Sequence, residues 1–189
     1  MQTNLTSADG ARVIRRIDWR FLLPSPDLGR VLCVSSDSMT AAAIRSIAAD
    51  PVVVESWMLD RDTAPFSLIV TTAFEGTTAH LAHEWLEPGG YLFAELPGGM
   101  LARRMARRHI QQAGLQLEAR LWHWPSFVAC EQIVDADDPA ALMAALRRQH
   151  GSARTLLKKR IGQVLVRLGQ FGTFAPDVSV LAFRPVRRD

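Results

Sequence analysis

His123 stands in an aromatic string, Leu121-Trp122-His123-Trp124-Pro125-Ser126-Phe127. An imidazole in that setting is the strongest candidate in the chain for a general base, and the rings beside it offer a wall for a planar or sugar-like ligand. The competing reading is a packed aromatic corner with a satisfied imidazole. His80-Leu81-Ala82-His83-Glu84 places two histidines three residues apart on one helix face, a spacing some metal sites use. It is not H-E-x-x-H and no third ligand accompanies it, so the pair reads as part of a surface or interface helix and no metal is expected. Glu95, at the end of an apolar strand, is open either to a ligand or to an arginine. Cys33 and Cys130 lie far apart in apolar surroundings and are expected to be small buried thiols in a reducing compartment, neither bridge nor nucleophile. There is no G-x-S-x-G elbow, P-loop or G-x-G-x-x-G, which counts against hydrolase and nucleotide-binding chemistry.

The elements that must position these groups alternate between strand and helix. Arg30-Val31-Leu32-Cys33-Val34 is a buried-strand run, followed by Ser35-Ser36-Asp37-Ser38, any of the last three of which can cap the helix expected from Met39 to Ala49. Strands are expected at Val52–Glu55 and Phe66–Thr72, a helix at 75–86, a strand at Tyr91–Leu96 and a helix from Leu101 to Ala113 with Arg103, Arg104, Arg107 and Arg108 on its wet side. Leu115–Trp122 alternates with the period of a half-buried strand, helices follow at 139–149 and 152–169, and Val178–Phe183 closes the chain. The segment 12–24 reads as partly extended and as preceding the core. This order predicts an α/β fold with a mostly parallel sheet and crossover helices on both faces. Ligands in such sheets bind at the carboxyl ends of the strands, here the loops after Val34, Glu55 and Thr71.

The run Leu86-Glu87-Pro88-Gly89-Gly90-Tyr91-Leu92-Phe93-Ala94-Glu95, preceded by Pro65-Phe66-Ser67-Leu68-Ile69-Val70, resembles the second half of class I S-adenosylmethionine-dependent methyltransferases. In that family a helix runs into an L-x-P-G-G-x-L turn before the fifth strand, the proline ending the helix and the glycines supplying angles that side chains forbid. The resemblance covers roughly 28–123, implies that the last strand joins the family's closing antiparallel pair, and divides the chain into an N-terminal extension (1–27), a Rossmann-like core (28–123), a helical insertion (124–176) and a last strand with tail (177–189).

The resemblance implies S-adenosylmethionine as cofactor, held by Ser35, Ser36, Asp37, Glu55 and Thr71. Glu55 stands for the family's ribose-binding acid, and His123 for a base on the acceptor side. Two departures stand out. The loop Val34-Ser35-Ser36-Asp37-Ser38-Met39-Thr40 has no glycine where the family's backbone closes on the methionine part of the cofactor. The connection 56–65 is too short for the family's third strand and its preceding helix, although Asp60 or Asp62 can replace the acid that usually contacts adenine. The expectation is a methyltransferase acting on a small-molecule acceptor. The alternative is a catalytically inactive methyltransferase-like binding or scaffold protein.

Composition bears on partners. Of 189 residues, 48% are hydrophobic and 22% charged, the balance of one globular domain. Residues 1–100 carry a charge of −5 and residues 101–189 one of +8, a split that suits an acidic protein partner for the second part, while no nucleic-acid module accompanies the charge. No apolar run approaches the length of a transmembrane helix and no signal sequence opens the chain, so a cytoplasmic location is expected. Leu157, Ile161, Val164, Leu165 and Leu168 form an apolar helical stripe flanked by cations, read first as the cover of a core and second as a docking face or a lid over an acceptor site.

Overall fold

A computed structural model describes residues 15–58, 65–96, 99–148 and 153–186. Seven strands form one sheet: β1 (Arg30–Val34), β2 (Asp50–Val54), β3 (Phe66–Thr71), β4 (Leu86–Leu96), β5 (Gln116–Trp124), β6 (Gln132–Asp135) and β7 (Val178–Phe183), in the order β2-β1-β3-β4-β7-β5-β6. β2, β1, β3 and β4 are mutually parallel. β7 runs antiparallel to both β4 and β5, and β6 antiparallel to β5. The central strands are buried along almost their whole length, as parallel strands covered on both faces must be. Among the described residues β2 and β6 are the two edge strands. Asp60 and Asp62 lie outside the described residues.

The helices are α1 (Ser38–Ile47), α2 (Thr78–Trp85), α3 (Met100–Gln112), α4 (Pro139–Arg148), α5 (Ala153–Arg167) and the single turn α6 (Phe171–Phe174). Ala43 and Ile44 of α1 pack on one sheet face with Val31, Cys33, Leu68, Val70 and Phe93. Helices α2 to α6 cover the other, where Trp85, Ile110, Leu146, Val166 and Phe171 meet Leu32, Ile69, Leu92 and Val180. Gly114 ends α3 at φ +80°, a conformation open to glycine. Among the described residues no helix is long and apolar enough to cross a membrane.

Several local expectations need correction. Asp18–Leu22 is a 3-10 turn rather than extended chain, and it does not merely precede the core: Ile17 and Trp19 are fully buried in it, with Trp19 stacked on Phe93 at 3.9 Å between ring centroids. Their large apolar side chains find cover on the face that α1 alone leaves open. α2 ends at Trp85, three residues before Pro88, because Leu86 is already drawn into the core and paired with Phe66. Glu87–Gly90 bulge out of the ladder, and Gly90 is required there: a Cβ would stand 3.0 Å from the carbonyl oxygens of Glu87 and Phe66. Arg103 is half-buried, its Nη1 donating to the Thr173 carbonyl, so it ties α3 to α6 instead of facing water. β5 continues through His123 and Trp124 to pair with β6, a strand the sequence reading lacks. Cys33 is buried as expected, while Cys130 is only partly so; both are free thiols. The stripe on α5 faces outward, with Leu157, Ile161, Val164 and Leu168 all more than half exposed. The inner side is made by Gly162, Leu165 and Val166, the missing side chain of Gly162 letting the helix pack closely on Leu146 and Phe171, which a Cβ would meet at 3.2–3.4 Å.

Candidate functional site

The carboxyl ends of β1, β3 and β4 converge on the loop that opens α1. Ser35 continues the ladder by donating its amide to the Val54 carbonyl at 2.9 Å. Its hydroxyl lies 2.9 Å from Thr72 Oγ1 and accepts the Asp37 amide. Asp37 is the N-cap of α1, accepting from the amides of Met39 and Thr40 and, at 2.6 Å, from the Thr40 hydroxyl. Serine and aspartate thus do by side-chain hydrogen bonding what a glycine loop would leave to a ligand.

Arg16 reaches this loop from the 3-10 turn's entry. Its Nε donates to Asp37 Oδ2 at 3.1 Å and its Nη1 stands 2.5 Å from Glu95 Oε1 at the end of β4. Both long side chains are nearly sealed, Arg16 at 4% and Glu95 at 6% exposure. Burial raises the pKa of Glu95, with Arg16 opposing the rise. Burial penalises the Asp37 carboxylate too, but the Thr40 hydroxyl, the Met39 amide and Arg16 outweigh it and hold its pKa below the ordinary value. Burial disfavours the Arg16 charge, yet the two carboxylates prevail and its pKa is raised.

The structure therefore brings Ser35, Asp37, Thr72, Arg16 and Glu95 together. Thr71 is buried and spends its hydroxyl on its own turn, bonded to the carbonyl and amide of Ala73. Ser36 and Glu55 lie exposed on the loops after β1 and β2. His80 is exposed on α2, and among the described residues no three groups suited to a metal ion stand together.

His123 lies on the face of β5 that packs toward Phe93, at the T-shaped distance of 6.2 Å, and toward Phe127. It is 2% exposed. Nε2 is 2.8 Å from Ser179 Oγ on β7, and Nδ1 is 3.6 Å from Cys130 Sγ. Burial, with the Arg16 charge nearby, pushes its pKa down to about 3. The ring is neutral at pH 7, and its two nitrogens both face protein groups. A general base works best with a pKa near the operating pH, and burial moves this imidazole well below it. Arg16, Trp19 and Ser179 escaped the sequence reading as site residues. The signals were a tryptophan in a polar N-terminal stretch and a lone serine inside Val178-Ser179-Val180-Leu181.

No family model matches the chain, and no curated protein matches it in sequence. Solved structures do match in backbone. A methyltransferase from Pyrococcus furiosus aligns over 93% of this chain and 83% of its own at 10% identity, with a TM-score of 0.50. An S-adenosylmethionine-dependent methyltransferase from Archaeoglobus fulgidus aligns over 91% and 94% at 10% identity and TM-score 0.47. Identity at this level speaks for the backbone plan alone. With four parallel strands, an antiparallel β7 lodged between β4 and β5, and helices on both faces, the chain has a class I methyltransferase-like, Rossmann-type α/β fold.

Proposed function

We propose that this chain is a methyltransferase-like binding protein that does not itself transfer methyl groups. The observation that carries the reading is Arg16, held in a nearly dry site between Asp37 and Glu95 where the strands of this fold end. The residues present do not fit S-adenosylmethionine. The loop after β1 has no glycine to admit a ligand against its backbone, the Ser35 and Asp37 side chains are committed to Thr72, α1 and Arg16, and opening the cluster would strand buried charge. His123, neutral and enclosed, supplies no base for a small-molecule acceptor. A binding role draws support from the outward face of α5, where exposed Leu157, Val164 and Leu168 lie near Arg160 and Arg167 and suit an acidic protein partner.

Methyl transfer is the second reading, favoured by Ser36 and Glu55, which stand exposed after adjacent parallel strands. Isothermal titration of the folded protein with S-adenosylmethionine and S-adenosylhomocysteine separates the two. The proposal expects no saturable heat at millimolar ligand. Micromolar binding that Glu55→Ala weakens would overturn it and restore the enzyme.

A further inference from the structure

An open groove of about 600 Å³ lies between β5, α5 and α6, on the sheet face opposite Arg16. Trp122, Trp124, Phe171, Phe174, Ile161 and Leu165 form its walls. The rings are already packed as a recognition surface: Trp122 meets Phe171 edge-on at 4.9 Å and Trp124 at 5.5 Å. The size and the largely apolar lining with its four aromatic rings are those of a pocket for a drug-sized molecule. Polar groups are few and distinct. Lys158 and Asp177 each contribute to the lining. Trp122, 3% exposed, has a buried indole Nε1 with no hydrogen-bond partner among the described residues. An orphaned buried donor is costly, and an acceptor on a ligand relieves it.

We propose that this groove binds a small aromatic-bodied monoanion. Its rings lie among Trp122, Trp124, Phe171 and Phe174, an acceptor atom takes the Trp122 N–H, and its anionic group is directed to Lys158 and away from Asp177. The site is separate from the Arg16 cluster. Both lie at the same end of the sheet, Glu95 on β4 being two strand spacings from β5, but on opposite faces, so the groove is available whether or not the Arg16 side takes a cofactor.

A matched pair of fluorescent probes tests this: 8-anilinonaphthalene-1-sulfonate, an anion, and N-phenyl-1-naphthylamine, its neutral counterpart without the sulfonate. The folded protein is expected to bind the anion one-to-one and the neutral probe about fivefold more weakly, the size of a partly exposed charge contact. Lys158→Ala removes that preference without weakening the neutral probe. Phe174→Asp abolishes binding of both. Leu168→Asp, on the outward face of α5, changes neither. All three positions are exposed, so the variants are expected to keep the wild-type melting profile, which circular dichroism checks. The proposal is overturned by an absence of saturable binding, by equal affinity for the two probes, or by loss of binding in Leu168→Asp with retention in Phe174→Asp.

Discussion

Arg16→Met tests whether the cluster at the strand ends is a closed structural unit. The substitution keeps an apolar stem and removes the guanidinium, leaving Glu95, 6% exposed, without its counter-charge. Breaking a buried pair from one side costs about 3–5 kcal/mol, whereas an exposed pair costs about 1 kcal/mol or less. The larger range applies, because the partner arginine is itself 4% exposed. The pH dependence supplies a second check. Glu95 already has a raised pKa from burial, and Arg16 is the group holding it down. A carboxyl whose native pKa is raised favours the native state below its ordinary value and loses that contribution as pH rises through the raised one. Without Arg16 the rise is larger, so the penalty of the variant is expected to shrink as pH is lowered from 7.5 to 5 and Glu95 protonates more readily than in the wild type. Asp37 also loses Arg16 in the variant but keeps the Thr40 hydroxyl and Met39 amide, the larger of the groups that lower its pKa, so Glu95 dominates the comparison. Urea unfolding at the two pH values measures the effect, and Arg16→Met with Glu95→Met is expected to recover much of the loss, since an apolar pair leaves no buried charge. A cost below about 1 kcal/mol at pH 7.5, or the same cost at pH 5, refutes the reasoning.

His123, with a native pKa of about 3 against 6.5 in the unfolded chain, makes stability present above pH 6.5 and lost as pH falls toward 3. His123→Asn is expected to lower stability at pH 7 through lost packing and to flatten the wild-type slope between pH 6 and 4 by up to about 1.4 kcal/mol per pH unit, one proton's worth; unfolding titrations across that range measure it. Gly90→Ala forces a methyl group to 3.0 Å from two carbonyl oxygens and is expected to cost about 1–3 kcal/mol. Gly99→Ala, where a Cβ meets nothing within 4 Å, serves as its control in thermal melts.

Much of the sheet was legible because apolar runs such as Arg30–Val34 and Val178–Phe183 have one stable place, a strand covered on both faces. The strand boundaries there agree with the structure to within a residue. The α5 stripe was legible as a stripe but not in its direction. Periodicity identifies an apolar face without saying which way it points, and the informative residue was Gly162, whose missing side chain marks the close-packed side. The β6 strand, Gln-Ile-Val-Asp, is too short for a period to register. Of the site, the end of the sheet was legible from topology and the loop after β1 from its serines and aspartate. Its central residue was not: nothing local to Arg16 distinguishes it from Arg12 or Arg15, and its role comes from Asp37 and Glu95, 21 and 79 positions further on. The aromatic corner around His123 was visible, but the serine that engages its ring lies 56 residues away on another strand.

The placement of β7 carries a consequence for synthesis. This strand lies between β4 and β5 and bonds to both, so a nascent chain cannot join the two halves of its sheet until residue 183 has left the ribosome. Until then β4 and β5 each offer a bare hydrogen-bonding edge to neighbouring chains. Loss of Val178–Phe183 would leave a cleft through the middle of the sheet rather than a frayed edge.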